Sequence, residues 1–536
     1  MPGQRRARRS RRSQAVLPLH SRTRLSHTIS CWYCDLKISA FNGFLFALGS
    51  RHAKYLRVWF TMGVGASFMA LAVITMILLQ QLACTLQLCG GSARFYNLPL
   101  SWLLGIPSWA SGLSLLSLMD AGVMIFSTLV SVLIHEFGHA IAAASQGVQI
   151  EYIALFLSVI FPGALVAFNY NVLLALPPFT ALRIYCAGIW HNTVFCAVCG
   201  LALLSLPALL YPFYIHGERA MVLSVSPVSP LAGYLSPGDI IMSLNDLDIH
   251  NPEEWFEKVA HLDTQLQNRS YYSGYSNGSS RNGKGYCVPN SWIEERGILS
   301  TDGEIACPDG LVAFKTMPCC RHFLDGKDCD DIYRNSTRRD YCFPPQDVVK
   351  LKKCCDGCQM TKSDQSYQCL QDECCLAPVQ SPHSIWAEVS FARPYFSDCL
   401  KVGRNETSMH VKGLDSGSTP CLETFIFIGD ISVANSIKLS AYQPRWALGA
   451  FGVYLPNLME KVLISMFRVS ASLGLLNCMP VFYLDGESML DVSLCCITRL
   501  DPRSRRRLLR VLLTGGTLLF VTALARVFFG IYSGNV

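Results

Sequence analysis

The chain alternates between long apolar stretches and polar blocks. Five stretches are long enough to cross a bilayer as helices, since about 20 apolar residues suffice. They occupy residues 58–82, 121–147, 182–211, 451–479 and 508–532. Charged residues make up only 15% of the chain, against about 25% in ordinary soluble proteins. The pattern predicts a polytopic α-helical membrane protein.

Two shorter apolar segments are interrupted by proline and glycine. Residues 101–119 are broken in this way, which predicts a re-entrant or interfacial segment. Residues 152–168 are apolar and β-branched, and Phe161-Pro-Gly163 lies in their middle. This favours a short β-hairpin that dips into the membrane part of the protein, where neighbouring protein satisfies its backbone. A kinked helix is the alternative.

The polar block after the third stretch has the pattern of an α/β domain. A strand at 221–225 is followed by a turn of small residues, the string GDIIMSLN from Gly238, and a helix beginning near Asn251. This order resembles the PDZ domain of bacterial and organellar proteases, a fold that binds extended peptides by strand addition. The match covers about half of such a domain, so residues 424–430 are a candidate returning strand.

Cysteines and glycosylation acceptors concentrate in the same polar region. Fourteen of the 24 cysteines fall between Cys287 and Cys421. The Asn-x-Ser/Thr glycosylation candidates are Asn268, Asn277, Asn335 and Asn405. Together they favour an oxidising lumen and a disulfide framework of unknown pairing, inserted in or beside the PDZ-like domain. A zinc-ribbon-like domain is the alternative, because Cys355 and Cys358 have ligand spacing. Cys31 and Cys34 form a further CxxC without an assigned role.

Two arginine-rich segments suggest how the chain crosses the membrane. Residues 1–24 hold eight arginines and no acidic residue, and residues 499–507 hold five arginines. As cytosolic flanks, they place the PDZ-like and Cys-rich region in the lumen. A basic arm can also bind nucleic acid or direct a protein to an organelle, but ahead of a hydrophobic segment the cytosolic interpretation is favoured. No direct nucleic-acid binding is expected.

The second apolar stretch contains His135-Glu-Phe-Gly-His139. Histidines four residues apart share one helix face and can bind Zn²⁺, while Glu136 handles the proton of a water. Ionisable groups within a membrane helix are costly and usually functional. The alternative is a half-buried helix with hydrogen-bonded histidines. A catalytic site needs a third ligand, for which Asp485 is the best candidate, although spacing alone favours a plain Asp-Gly turn that leaves the membrane.

Further polar residues lie within the apolar stretches. Asn192 could hydrogen-bond a substrate or an intermediate, or tie two helices together. His191 is not expected to be a ligand, because it neighbours Asn192 and cannot share its helix face. Asn477 and Pro480 break the helix before Asp485 and expose backbone groups there.

These motifs together resemble the site-2 protease family of intramembrane zinc metalloproteases, most closely its eukaryotic members. The resemblance rests on His135-Glu-Phe-Gly-His139, Phe161-Pro-Gly163, Gly188-Ile-Trp-His-Asn192 and Asn477-x-x-Pro480-x-x-x-x-Asp485-Gly486, in that order. It implies one catalytic zinc ion bound by His135, His139 and Asp485, with Glu136 as general base and then acid. Asn192, Asn477, Pro480 and Gly486 would support the substrate backbone or the oxyanion.

The family resemblance also implies a cellular role. The expected substrates are membrane-anchored transcription factors, cut first on the luminal side by another protease, so that the second cut releases a cytosolic fragment to the nucleus. The protein would reside in the membrane of the Golgi or endoplasmic reticulum, with its active site near the cytosolic side. A catalytically idle chaperone that binds membrane helices and a Cys-rich membrane receptor are the alternative functions.

These interpretations predict a polytopic α-helical membrane protein with a membrane-dipping β element and a luminal PDZ-like α/β domain that carries a Cys-rich insertion. The predicted segments are a basic arm (1–56), the first span and an interfacial segment (57–120), the first part of the catalytic core (121–213), the PDZ-like segment (214–265), the Cys-rich insertion (266–422), a possible return of the PDZ-like fold (423–446), the second part of the catalytic core (447–490), and a basic loop with the last span (491–536).

Overall fold

A computed structural model describes most of the chain that follows the arginine-rich amino terminus. The structure describes residues 29–30, 33–85, 118–158, 161–169, 172–173, 175–272, 284–296, 298–299, 307–308, 310–316, 340–355, 369, 372–379, 385–394, 421–430, 433, 436–446, 450–496 and 501–532. The predicted arm at 1–24, most of the segment at 101–119, Cys358, and the acceptors Asn277, Asn335 and Asn405 lie outside these residues. Asn268 lies within a helix, but its side chain is outside the description.

The chain folds into two compact units. The membrane unit comprises Met1–Ser205 and Glu460–Val536, and the β-rich unit comprises Leu206–Met459. The helices are α1 (Asn42–Arg51), α2 (Ala53–Thr85), α3 (Leu118–Ser145), α4 (Pro178–Tyr185), α5 (Ala187–Leu210), α6 (Pro252–Tyr272), α7 (Asn290–Arg296), α8 (Pro345–Val348), α9 (Ala450–Cys478), α10 (Asp485–Cys495) and α11 (Pro502–Tyr532).

The strands form three sheets. They are β1 (Ile29–Ser30), β2 (Tyr33–Ile38), β3 (Ile150–Ser158), β4 (Phe161–Phe168), β5 (Tyr214–Val225), β6 (Ile240–Leu244), β7 (Leu247–Asp248), β8 (Lys284–Pro289), β9 (Ile298–Leu299), β10 (Val312–Thr316), β11 (Asp340–Phe343), β12 (Lys353–Cys355), β13 (Glu373–Pro378), β14 (Ile385–Ala392), β15 (Leu422–Gly429) and β16 (Ile437–Pro444).

Five of the described helices are long and apolar enough to cross a membrane. The apolar segments are Ala53–Gln80, Leu118–Ser145, Ala187–Leu210, Gly452–Cys478 and Pro502–Ala525. Most of their ends lie within a few residues of the ends of the five predicted stretches. The agreement is expected, because length and apolar composition define the predicted stretches as well as these helices. The chain is therefore a polytopic membrane protein.

The predicted span at 182–211 is wrong at its amino-terminal end. The structure interrupts the helix at Cys186, between α4 and α5. Near this break the carbonyl of Ile184 lies 2.8 Å from Nδ1 of His139, so a backbone group is the hydrogen-bond partner of a buried side chain. Hydropathy alone does not reveal such an interruption, because both sides of it are apolar.

The membrane unit also contains a small sheet in the order β1-β2-β3-β4. Strands β3 and β4 form the hairpin predicted at 152–168, with Phe156 opposite Gly163. A Cβ at Gly163 would lie 2.3 Å from the Phe156 ring, so the crossing requires glycine. A kinked helix is thereby excluded.

The amino-terminal segment extends this sheet, so residues 33–51 are not a peripheral arm. Strand β2 pairs with β3 along six residues, from Tyr33 opposite Ser158 to Ile38 opposite Ile153. Helix α1 follows, and Leu45 is buried in one cluster with Ala140 and Ile141 of α3. This packing was not predicted, because β2 is short and begins within the CxxC segment.

The first sheet of the β-rich unit has the order β15-β14-β6-β5-β16. The predicted strand at 221–225 lies within β5, and the one at 424–430 coincides with β15 except for its last residue. Helix α6 begins after Asn251, whose Oδ1 accepts the Glu254 amide at 2.8 Å as an N-cap does, while its Nδ2 donates to Glu254 Oε1. Trp255 and Val259 of α6 are buried against this sheet, in one cluster with Val222, Val389 and Phe425.

The second sheet of the β-rich unit, in the order β12-β8-β13-β10-β11-β9, comes from the Cys-rich block. Three disulfides occur among its described residues and support the predicted framework. They are Cys287–Cys369, Cys307–Cys342 and Cys354–Cys375. A Cβ at Gly285 would lie 2.7 Å from the carbonyl oxygen of Leu376 and 3.0 Å from Sγ of Cys375, so β8 requires glycine where it passes β13 and this disulfide.

Candidate active site

Helix α3 carries the two histidines on one face, one turn apart. His135 and His139 are buried, and their Nε2 atoms lie 3.2 Å from each other. The spacing of four residues brings the rings together because a helical turn has 3.6 residues.

Asp485 joins them from a point 346 residues further along the chain than His139. Its Oδ2 lies 3.0 Å from Nε2 of His135 and 3.1 Å from Nε2 of His139. Asp485 is the first residue of α10, where a carboxylate is favoured by the helix dipole. The three groups were predicted to share a site, and the structure brings them together.

The turn before α10 positions Asp485. Tyr483 adopts a φ of 70° and its amide donates to the Glu487 carboxylate at 2.8 Å. A Cβ at Gly486 would lie 2.0 Å from the carbonyl oxygen of Met479. Gly486 is therefore needed where α10 passes close to the end of α9.

The three donor atoms are spaced as a metal site requires. Two imidazole nitrogens and one carboxylate oxygen, mutually 3.0–3.2 Å apart, are a donor set typical of catalytic zinc, whose bonds of about 2.0–2.1 Å separate tetrahedral ligands by about 3.3 Å. His135, His139 and Asp485 could therefore hold a metal ion.

Gly188 of α5 keeps space open beside these atoms. A Cβ at this position would lie 2.4 Å from Nε2 of His139 and 2.6 Å from Nε2 of His135. Only glycine lets α5 approach the two imidazoles this closely. Gly188 precedes Asn192 by four residues, so both lie on one face of α5. This i, i+4 spacing was the sequence signal that could have indicated the close approach of α5 to the imidazoles.

The Nδ1 atom of each histidine has its own partner. His139 Nδ1 lies 2.8 Å from the Ile184 carbonyl, and His135 Nδ1 lies 3.1 Å from the side-chain amide of Asn192. Asn192 is completely buried. No sequence signal could reveal the contribution of Ile184, because only its backbone takes part.

Glu136 lies beside the ligands but points to the hairpin. Its Oε2 accepts the backbone amide of Val166 at 3.0 Å. Val166 belongs to β4, which is an edge strand of the four-stranded sheet within the described residues. An edge strand offers unpaired backbone groups, so the carboxylate adjoins a free strand edge.

A cavity of about 330 Å³ adjoins Glu136. Its other lining is apolar and includes Leu45 of α1, Phe137 of α3, Ile153 of β3 and Val166 of β4. The cavity was not predicted, because α1 was not expected to pack here.

The other predicted support residues have structural contacts. Asn477 Nδ2 donates to the Leu473 carbonyl of its own helix at 3.0 Å. The carbonyl of Pro480 faces Gly516 of α11, where a Cβ would lie 2.2 Å from it. His191 Nδ1 lies 3.2 Å from the Ala187 carbonyl on its own helix, and the donor group of the described residues consists of His135, His139 and Asp485.

Five helices able to cross a membrane, an HExxH pair and an acidic group that could complete a metal site are the features of a membrane-embedded metallopeptidase. Residues 123–522 match peptidase family M50. The chain is 44% identical over 515 residues to a membrane-bound transcription factor site-2 protease homolog of Arabidopsis thaliana, and the alignment covers 94% of this chain and 93% of that relative.

The chain belongs to peptidase family M50 and, within it, to the site-2 proteases. It is a multi-pass intramembrane metalloprotease of regulated intramembrane proteolysis.

Proposed function

We propose that the chain is a zinc endopeptidase in which His135, His139 and Asp485 hold the metal and Glu136 is the catalytic base. The observation that carries this proposal is the convergence of three donor atoms within 3.0–3.2 Å, with Glu136 directly adjoining them in the chain. Bound zinc would act as a Lewis acid and activate a water at neutral pH.

The residues of the chain would then divide the work of peptide hydrolysis. Glu136 takes a proton from the attacking water and later gives it to the leaving amine. The amide of Val166, 3.0 Å from Oε2, orients the carboxylate. The apolar helices around the triad limit the entry of bulk water.

A helical substrate must unwind before its peptide bond can be attacked. The free edge of β4 would hold the unwound segment extended by strand addition. Because Val166 both belongs to this edge and lines the cavity, an apolar side chain next to the scissile bond fits the 330 Å³ space.

The substrates would be single-span anchors of transcription factors, trimmed first by a luminal protease. The name of the Arabidopsis relative supports this class of substrate. With residues 1–24 and 499–507 in the cytosol, the β-rich unit lies in the lumen of the Golgi or endoplasmic reticulum and the active site lies near the cytosolic side. Endoglycosidase should then increase the mobility of the protein, and resistance of all four acceptors would contradict this topology.

The β-rich unit would be a PDZ-like domain with a Cys-rich insertion. The succession of β5, β6 and α6 supports it, as does the return of β15 and β16 to the same sheet after the disulfide-bonded strands. Such a domain would select luminally trimmed stubs or exclude untrimmed ones.

The decisive experiment reconstitutes the full chain in liposomes with a single-span substrate. We expect Glu136→Gln to lower the cleavage rate by about 10²–10⁴-fold, since proton transfer is lost, while zinc content stays stoichiometric. Glu151→Gln, an exposed change on β3, is the matched control. Cleavage by the Glu136 variant at the wild-type rate, or a wild type without zinc, would refute the proposal.

A further inference from the structure

We propose that Asn192 is a positioning residue of the metal site: its side-chain oxygen accepts the Nδ1 proton of His135 and thereby holds Nε2 toward Asp485. This inference rests on the proposed zinc site. It gives Asn192 a function different from the donation of a hydrogen bond to the substrate or the oxyanion.

Each imidazole must present one unprotonated nitrogen to a metal ion. The Nε2 atoms of both histidines lie 3.0–3.1 Å from the same oxygen of Asp485, so the Nε2 atoms are the ligand atoms. A neutral imidazole with a free Nε2 carries its proton on Nδ1. Each Nδ1 then needs an acceptor within reach.

His139 shows how this requirement is met. The atom 2.8 Å from its Nδ1 is the carbonyl oxygen of Ile184, which can only accept. His139 Nδ1 is therefore the donor of this hydrogen bond, and its Nε2 is free for the metal. Metal-bound histidines in proteins usually have such a partner, which fixes the tautomer and the ring orientation.

For His135 the corresponding partner is the side-chain amide of Asn192, whose Nδ2 is placed 3.1 Å from Nδ1. An amide offers an acceptor and a donor at nearly equivalent positions, which exchange by rotation about the last side-chain torsion. With Nε2 committed to the metal, the Oδ1 orientation satisfies the Nδ1 proton.

The surroundings hold this amide in place. Asn192 is 0% exposed, and Ser470 of α9 donates to its backbone carbonyl at 3.1 Å. Gly188, on the same face of α5, lets the helix approach the imidazoles closely. The other polar atom of the amide, placed as Oδ1, is buried and has no partner within the described part of the chain. The contact with His135 is therefore the hydrogen bond that the structure shows for this side chain.

The two functions of Asn192 need opposite groups. Positioning of His135 requires an acceptor, whereas stabilising a substrate oxyanion requires an N–H donor. Aspartate keeps the acceptor and has no N–H, and leucine of similar size has neither. Removing such a supporting residue typically weakens metal affinity by about 10–100-fold.

The experiment measures zinc affinity of the full detergent-solubilised chain by competition with a chromophoric chelator, alongside cleavage in liposomes. We expect Asn192→Leu to bind zinc about 10–100-fold more weakly, and Asn192→Asp to bind it as tightly as the wild type and to cleave substrate. Thr193→Val, which removes only a hydrogen bond to the Ile189 carbonyl of the same helix, is the control.

The outcomes separate this inference from the proposed function. A wild type that binds no zinc would overturn both. Wild-type affinity in Asn192→Leu would overturn the positioning role alone. Tight zinc binding with abolished cleavage in Asn192→Asp would show that the N–H groups act on the substrate and would also overturn it. The ligand-field spectrum of cobalt-loaded Asn192→Asp shows whether a misfolded variant has lost the site altogether.

Discussion

The membrane unit and the β-rich unit stabilise their buried polar and sulfur-containing groups by different means. In the membrane unit, His135, His139 and Asn192 converge on one place, and Cys186 and Cys478 are buried free thiols. In the β-rich unit six of the described cysteines are tied in pairs, and the three disulfides link strands and loops of one sheet.

The difference follows from the two surroundings. An ionisable side chain within a membrane-spanning segment is so costly that it is retained mainly where it has a function, and His135, His139 and Asp485 of the membrane unit meet at the candidate site. Disulfides form and persist in oxidising compartments, so the three disulfides of the β-rich unit support the luminal position proposed for it. The first unit depends on a metal site for its activity, whereas the second depends on covalent links for its stability.

The largest expected effect comes from Gly188→Ala. The added Cβ would lie 2.4 and 2.6 Å from the Nε2 atoms of His139 and His135, so it would displace the ligand atoms. We expect complete loss of zinc and of cleavage, measured by metal analysis and in liposomes. Hydrogen exchange of β5 and β16 should remain as in the wild type.

Gly122→Ala is the matched control, because a Cβ there meets no atom within 4 Å. It should retain both zinc and activity. Stoichiometric zinc in Gly188→Ala would mean that α5 does not border the metal site.

The second prediction concerns the β-rich unit. Replacing Cys354 and Cys375 by serine removes a disulfide between residues that are 21 positions apart in the chain. We expect the free energy of opening of β8 and β13 to fall by about 3 kcal/mol, as measured by hydrogen exchange. The zinc content should not change.

The control replaces Cys196 and Cys199 of the membrane unit by serine, since neither of these cysteines forms a disulfide. It should leave the exchange of β8 and β13 unaffected. If the double variant at 354 and 375 also lost zinc, the contrast between the two units would fail.

Sequence reasoning succeeded where a residue type carries the information. The HExxH spacing, the acidic residue after a broken helix, and the proline-glycine interruption of a β-branched segment each led to an observed arrangement at His135, Asp485 and Gly163. In each case the chemistry of the side chain, or the lack of one, dictates the local structure.

The contacts that the sequence did not reveal depend on backbone or on distant pairing. The Ile184 carbonyl serves His139 whatever its side chain is. Strand β2 is too short to recognise until β3 is beside it. The pairing of Cys287 with Cys369 and of Cys354 with Cys375 was one of many that the cysteine spacing allows.

The smallest expected effect tests whether the β-rich unit also tolerates a buried charge. Asp239 is buried, accepts the Ser236 amide at 2.8 Å, and lies 3.6 Å from Arg393. Burial raises the pKa of Asp239 above its ordinary value of 3.8, and Arg393 opposes this only in part. Because the folded chain holds the proton to higher pH than the unfolded chain, protonation contributes stability that is fully present below pH 3.8 and is lost as the pH rises through the raised pKa.

Asp239→Asn removes this titration. We expect the difference in opening free energy of β6 between wild type and variant to shift in favour of the wild type as the pH falls from 7 toward 4. Comparing the two proteins at each pH cancels the intrinsic pH dependence of hydrogen exchange. Asp248→Asn, at an exposed carboxylate, should show no such shift. A shift of opposite sign at Asp239 would mean that Arg393 outweighs burial, and that this unit holds its buried charge by pairing, as the membrane unit holds its own.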